Sequence, residues 1–136
     1  MNNIQYAEFL SDDELQKVAP LLKRLKKLED RSESQDNFLR FVNKIWSGFI
    51  EGKHHKIYGE KLQAVADGKI KRLIVNMPPR HTKSEFASYL FPAWLMGKRP
   101  DLKIIQATHT AELAVGFGRK VKNLIDSEDF RDIFPD

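Results

Sequence analysis

The stretch that most constrains this chain runs from Arg72 to Glu85 and reads RLIVNMPPRHTKSE. A short apolar run ends at the Pro78-Pro79 corner, and a basic turn then carries Lys83 and Ser84 to the mouth of a helical segment. A phosphate-binding loop needs this order of parts: a strand as anchor, a turn that exposes backbone N–H groups, and a helix start aimed at the anion. The other segments are read for how they could hold such a loop.

At 136 residues there is room for one ordinary domain with a core, and little for two. The absence of cysteine excludes disulfides and thiolate metal sites. No apolar run is long enough for a transmembrane span, and Asp12, Asp13 and Glu14 interrupt the place where a secretory signal would need its apolar core. A net charge of +4 suits contact with a polyanion and suits plain solubility equally well.

Ser11 to Glu14 has the form of a capping box, with Leu10 and Leu15 placed as a hydrophobic staple, so a helix is expected to start here. Its stripe of Leu15, Val18, Leu22 and Leu25 suits packing against the next helix better than a coiled coil or a partner surface, being short; Pro20 should kink the helix or restart it. A polar break is expected from Glu29 to Asp36. Phe38, Phe41, Val42, Ile45, Trp46 and Phe49 then trace one face of a second helix, read as core in preference to base stacking. A third helix passes through Tyr58, Leu62 and Val65 to a C-cap at Gly68. Its adjacent His54 and His55 point apart on a helix and make a poor metal pair, which leaves them solvated or facing a nucleotide.

Lys71 to Met77 reads as a buried parallel strand, and Lys103 to Ala107 as a second. Between them a helix from Ser84 to Met96 is expected, bent at Pro92. The result would be a right-handed strand–helix–strand unit. Thr110 is a fitting N-cap for a last helix with the core stripe Leu113, Phe117, Val121 and Leu124. The acidic segment from Asp126 to Asp136 shows no obvious element of its own.

The strict phosphate-loop pattern puts glycine where this chain has Met77 and Thr82, so by spacing alone the motif is incomplete. The functional reading still gives each residue a task. Lys83 would reach the β- and γ-phosphates, the Ser84 hydroxyl would ligate Mg²⁺, and Arg80 would offer a planar fork to the γ-phosphate. Backbone N–H groups from Arg80 through His81 and Thr82 to Ser84 would line the cradle. The plainer alternative is a solvated basic turn with Ser84 as an ordinary helix cap.

The same run, followed by Phe91-Pro92-Ala93-Trp94 and later by Thr108 to Ala114 and Phe117 to Val121, is similar to the large terminase subunit of tailed bacteriophages, a DNA-packaging motor. Members of that family commonly carry Pro-Pro-Arg-His, then glycine or another small residue, then Lys-Ser or Lys-Thr. The resemblance covers Phe38 to the C-terminus and leaves the first helix outside. It implies an α/β fold, a partial P-loop NTPase of parallel strand–helix–strand–helix form: residues 1–50 as a helical lead-in, 51–136 as the N-terminal part of the ATPase domain. It further implies ATP and Mg²⁺ as cofactors, with Lys83 and Arg80 catalytic. Arg80, His81, Thr82, Lys83, Ser84 and Glu85 would contact the nucleotide phosphates, Ser84 the metal, and the segment His54 to Tyr58, His55 above all, the adenine.

The implied partners are double-stranded phage DNA, the portal protein and the small terminase subunit, with a homo-oligomeric ring in the parent protein, no membrane, and the cytoplasm of an infected bacterium as setting. The Walker B carboxylates, the coupling motif and the nuclease domain would lie beyond Asp136, so this chain alone is expected to bind Mg-ATP without appreciable turnover. One further departure and two rivals stand beside this reading. Thr82 replaces the usual glycine, and a basic nucleic-acid or protein interaction module, or a helicase-like ATPase, would share the loop's chemistry.

Overall fold

The computed structural model describes residues 12–135. Seven α-helices and one π-helical turn account for the regular structure among them. The chain forms two compact units, Met1–Ser32 and Glu33–Asp136, and the division falls inside the first helix, α1, Asp12–Asp36. The expected capping box at Ser11 and Glu14 and the staple of Leu10 with Leu15 lie outside the described residues and side chains. Among the described residues no helix is long and apolar enough to cross a membrane.

The polar break expected from Glu29 to Asp36 is absent, because α1 continues to Asp36. Nothing in that segment is glycine or proline, and helix propensity among its polar residues differs by only tenths of a kcal/mol, roughly 0.7 at most. Tertiary contacts then decide. Trp94 donates its indole N–H to the Ser34 carbonyl at 2.9 Å, and the Gln35 amide donates to the Ile133 carbonyl at 2.5 Å. The break comes at Asn37, whose extended backbone and side-chain bond to the Arg40 amide cap α2, Phe38–Ile45.

The first part of the expected apolar face is the core face of α2, while Trp46 and Phe49, expected on the same helix, lie beyond its end. Phe38, Phe41 and Val42 are fully buried. Phe38 is the hub: Phe86 and Phe91 meet it edge-on at 5.5 and 5.4 Å, and Trp94 tilts against it at 5.6 Å. Edge-to-face pairing of this kind adds about 0.5–1.5 kcal/mol per pair beyond area burial. The rings are therefore consumed by packing and are not offered to bases. Helix α3, Lys53–Ala66, packs beside α2 through Tyr58 and Leu62 and closes at Gly68 with φ +75°, the left-handed conformation expected there.

No strand is present among the described residues, which overturns the expected parallel strand–helix P-loop unit. Residues 72–78 do alternate: Leu73, Val75 and Met77 pack on the core, while Ile74 is 87% exposed. Alternation alone does not make a strand, however, because a strand exists only through a ladder with a neighbour. No backbone hydrogen bond joins 72–78 to 103–107 among the described residues. In the second segment Ile105 is 95% exposed and Ile104 40%. A parallel strand covered on both faces would have hidden both.

The helical segment after the loop is built in three parts: α4, Lys83–Glu85; a π-helical turn, Phe86–Leu90; and α5, Phe91–Lys98. Proline is the cause. Pro92 has no N–H for the Ser88 carbonyl four residues back, so the turn before it widens and Phe91 N–H bonds the Phe86 carbonyl. The Ser88 carbonyl is met instead by the Gln106 side-chain amide at 3.3 Å. One of the segments read as a strand thus serves the helix by a side chain.

Helix α6, Ala111–Ile125, starts at Thr110, whose hydroxyl accepts from the Leu113 amide at 3.3 Å. Only the later half of its stripe is core: Val121 and Leu124 are buried, whereas Leu113 is 42% exposed. A short α7, Glu128–Ile133, follows and seats Phe130 and Ile133 in the core. Its signal was present in the sequence. Ser127 accepts from the Phe130 amide at 3.3 Å, and Glu128 and Asp129 sit in the first turn, a capped helix start complementary to the dipole.

Candidate functional site

The loop from Pro78 to Lys83 is defined by two residues with positive φ, Arg80 at 64° and Thr82 at 59°. For a β-branched residue this conformation is sterically costly, about 1–3 kcal/mol, and persists only where its surroundings enforce it. Several bonds do so. His81 donates from Nδ1 to the Pro79 carbonyl at 2.9 Å, the Thr82 hydroxyl donates to the His81 carbonyl at 2.6 Å, and the Phe86 amide returns to the Thr82 carbonyl at 2.9 Å. Thr82 stands at the cap position of α4 without a side-chain cap bond, so Ser84 lies within the helix and is not its cap. The Ser84, Arg80 and His81 side chains are exposed, and that of Lys83 is half-buried.

Helix α3 holds the loop from behind. The Tyr58 hydroxyl donates to the Lys83 carbonyl at 3.2 Å, and its ring stacks on Phe86 at 5.6 Å, 16° from parallel. Burial pushes the Tyr58 hydroxyl pKa up, which keeps it a donor across ordinary pH. From the other side Lys120 of α6 reaches Glu85 at 3.0 Å and lies over the Tyr89 ring at 5.7 Å. Glu85 is thereby already engaged. Nothing in the sequence pattern marks Tyr58 or Lys120 as bracing residues. Tyr58 sits on the apolar face of α3 like any core aromatic, and Lys120 is one of several basic residues on α6.

The histidines divide by environment. His55 is only 7% exposed. Its Nδ1 accepts from the Gly52 amide at 2.9 Å, closing the first turn of α3 as a glutamate would in a capping box. That bond places the ring proton on Nε2, which is buried without a hydrogen-bond partner among the described residues. His54 stands 3.8 Å from it ring to ring and 5.7 Å from His81. His54, and not His55, lines an open cavity of about 270 Å³ between α3 and residues 73–77, together with Ile57, Tyr58 and Met77. The candidate site therefore brings together Arg80, His81, Thr82, Lys83, Ser84 and Glu85 in one loop, with His54 and Tyr58 adjoining it, while His55 supports the start of α3 from within.

Burial holds the His55 pKa below its ordinary value of 6.5, and the neighbouring His54 charge adds to this. The folded state then binds this proton less readily than the unfolded chain does. The resulting stability is fully present above pH 6.5 and is lost as pH falls toward the folded-state pKa. Thermal unfolding should shift to lower temperature when the pH is taken from about 7.5 to about 5.5, and the shift should shrink in His55→Gln. Identical shifts in both proteins would assign the acid sensitivity elsewhere.

The loop can place a lysine, an arginine and a run of N–H groups around an anion, beside a cavity bordered by an imidazole and a phenol. Among the described residues no cluster of three or more metal-ligating side chains accompanies it. Comparison of the chain with known protein families, with characterised proteins and with solved structures finds no match.

Proposed function

We propose that the loop 79–85 binds the phosphates of Mg-ATP, and that the chain is the nucleotide-binding portion of a DNA-packaging motor of the large terminase kind. The observation that carries this reading is the left-handed Thr82, directly before Lys83. Backbone strain clusters where a loop must present itself to a ligand. Here it falls at the position that the strict phosphate-loop pattern reserves for glycine. Residues alternating between left- and right-handed conformations turn successive N–H groups to one side, which makes a concave anion seat. The reading rests on this loop and on the sequence resemblance, not on a parallel sheet.

Lys83 would supply a point charge to the β- and γ-phosphates, Arg80 a bidentate fork, and Ser84 one oxygen to Mg²⁺. The cavity beside His54 and Tyr58 is the place for the base. Double-stranded DNA, the portal protein and the small terminase subunit are the partners this function calls for, in the cytoplasm of an infected bacterium. Water activation by a carboxylate would be needed for turnover, and Glu85 is committed to Lys120.

Calorimetric titration with Mg-ATP tests the proposal. Saturable binding is expected, weakened at least about tenfold in Lys83→Ala, in keeping with the loss of a charged hydrogen bond. If ATP neither binds nor competes while duplex DNA binds with a steep salt dependence, the loop is a grip for backbone phosphates and the nucleotide reading fails.

A further inference from the structure

Between residues 17 and 31, α1 carries an apolar line made of Val18, Leu21, Leu22, Leu25 and Leu28, at the three-and-four spacing of a helix seam. The four leucines are exposed, by 60%, 38%, 53% and 47% in chain order. One exposed leucine is ordinary, but a continuous line of them along one helix marks an interaction surface. With Val18 and Leu25 at the a positions of a heptad and Leu21 and Leu28 at d, Pro20 falls at c, so its ring and missing N–H lie away from the seam.

Charge selects the occupant. Lys17, Arg24 and Arg31 recur seven residues apart and form one edge of the line, the g positions. Across residues 17–31 six basic side chains stand against Glu29 and Asp30 alone. A second copy in parallel would give Arg24 a partner in Glu29 but would set Lys17 against Leu22, and an antiparallel copy would bring two basic edges together. The line also lacks the tryptophan or phenylalanine that favours a bilayer interface. Lys17 and Arg31 have partners within the chain as well.

We propose that residues 17–31 dock an acidic amphipathic helix of a partner protein, leucine line against leucine line, with its carboxylates along the edge formed by Lys17, Arg24 and Arg31. Apolar contact would supply the affinity, and the charged edge the choice of partner and orientation.

The probe is a labelled three-heptad peptide with leucine at a and d and glutamate at e and g, followed by fluorescence anisotropy against the full chain. A second peptide carries lysine at e and g. The glutamate peptide should bind and the lysine peptide should not. Leu25→Asp should weaken binding at least about tenfold, as loss of a central anchor does. Arg24→Glu, a surface change that leaves the apolar line intact, should weaken the glutamate peptide and improve the lysine peptide. Binding of neither peptide, equal binding of both, or indifference to both substitutions overturns the proposal. So does self-association in sedimentation, or capture by anionic vesicles, that Leu25→Asp abolishes, since either would give the line a different occupant.

Discussion

Trp94→Ala is expected to lower the free energy of unfolding by about 3–5 kcal/mol, the range for removing a large buried aromatic. Trp94 has no exposed surface. Its ring is packed between Phe38 at 5.6 Å and Phe91 at 6.1 Å, with the Lys98 ammonium 5.1 Å from its centroid. The indole N–H is also a polar tie, bonded to the Ser34 carbonyl across sixty residues of chain. Truncation leaves a cavity and removes the indole bond to the Ser34 carbonyl, and those costs add. Urea unfolding followed by far-UV circular dichroism measures the effect without relying on the deleted fluorophore. Trp94→Phe, which keeps most of the volume and loses the N–H, should cost clearly less. A loss below about 1 kcal/mol in Trp94→Ala would mean that the α2–α5 core is not what holds Glu33–Asp136 together.

Phe86→Ala should cost a similar amount, about 3–5 kcal/mol, and should also loosen the loop. Phe86 is fully buried at the start of the π-helical turn. It meets Phe38 edge-on at 5.5 Å, stacks on Tyr58 at 5.6 Å, and lies 5.8 Å from Phe49 and 5.5 Å from His55. Its own amide bonds the Thr82 carbonyl. Thr82 is thereby fastened to the core through a single residue. Hydrogen exchange should report faster opening of residues 80–85 in Phe86→Ala than in Trp94→Ala at matched overall stability. Because Phe86 and Trp94 share Phe38 as a neighbour, the double variant should be less unstable than the two single losses added together. Strict additivity would place the two residues in independent clusters.

Much of the helical content was legible because its determinants are local. Thr110 caps α6, Gly68 ends α3 with positive φ, and the spacing of Phe38, Phe41 and Val42 marks a buried face. Each of these depends on residues within a turn or two of one another. The determinants of α7, Ser127, Glu128 and Asp129, are equally local. The loop was legible as a basic turn before a helix start, with Lys83 and Ser84 at the junction. Its bracing by Tyr58 and Lys120 was not, since those contacts join residues 25 and 35 positions apart or more.

By itself, then, the sequence determined where the chain turns helical, which faces are apolar, and that a charged loop precedes the helix at Lys83. Those are matters of propensity, capping and periodicity. Only the tertiary structure decided that 72–78 and 103–107 form no sheet, because a strand needs a hydrogen-bonded neighbour that no local pattern can guarantee. Tertiary contacts likewise carried α1 through its polar segment, by way of Trp94 and Gln35. Long-range bonds can outweigh local preference wherever that preference is worth no more than about 1 kcal/mol, as it is among the polar residues of that segment.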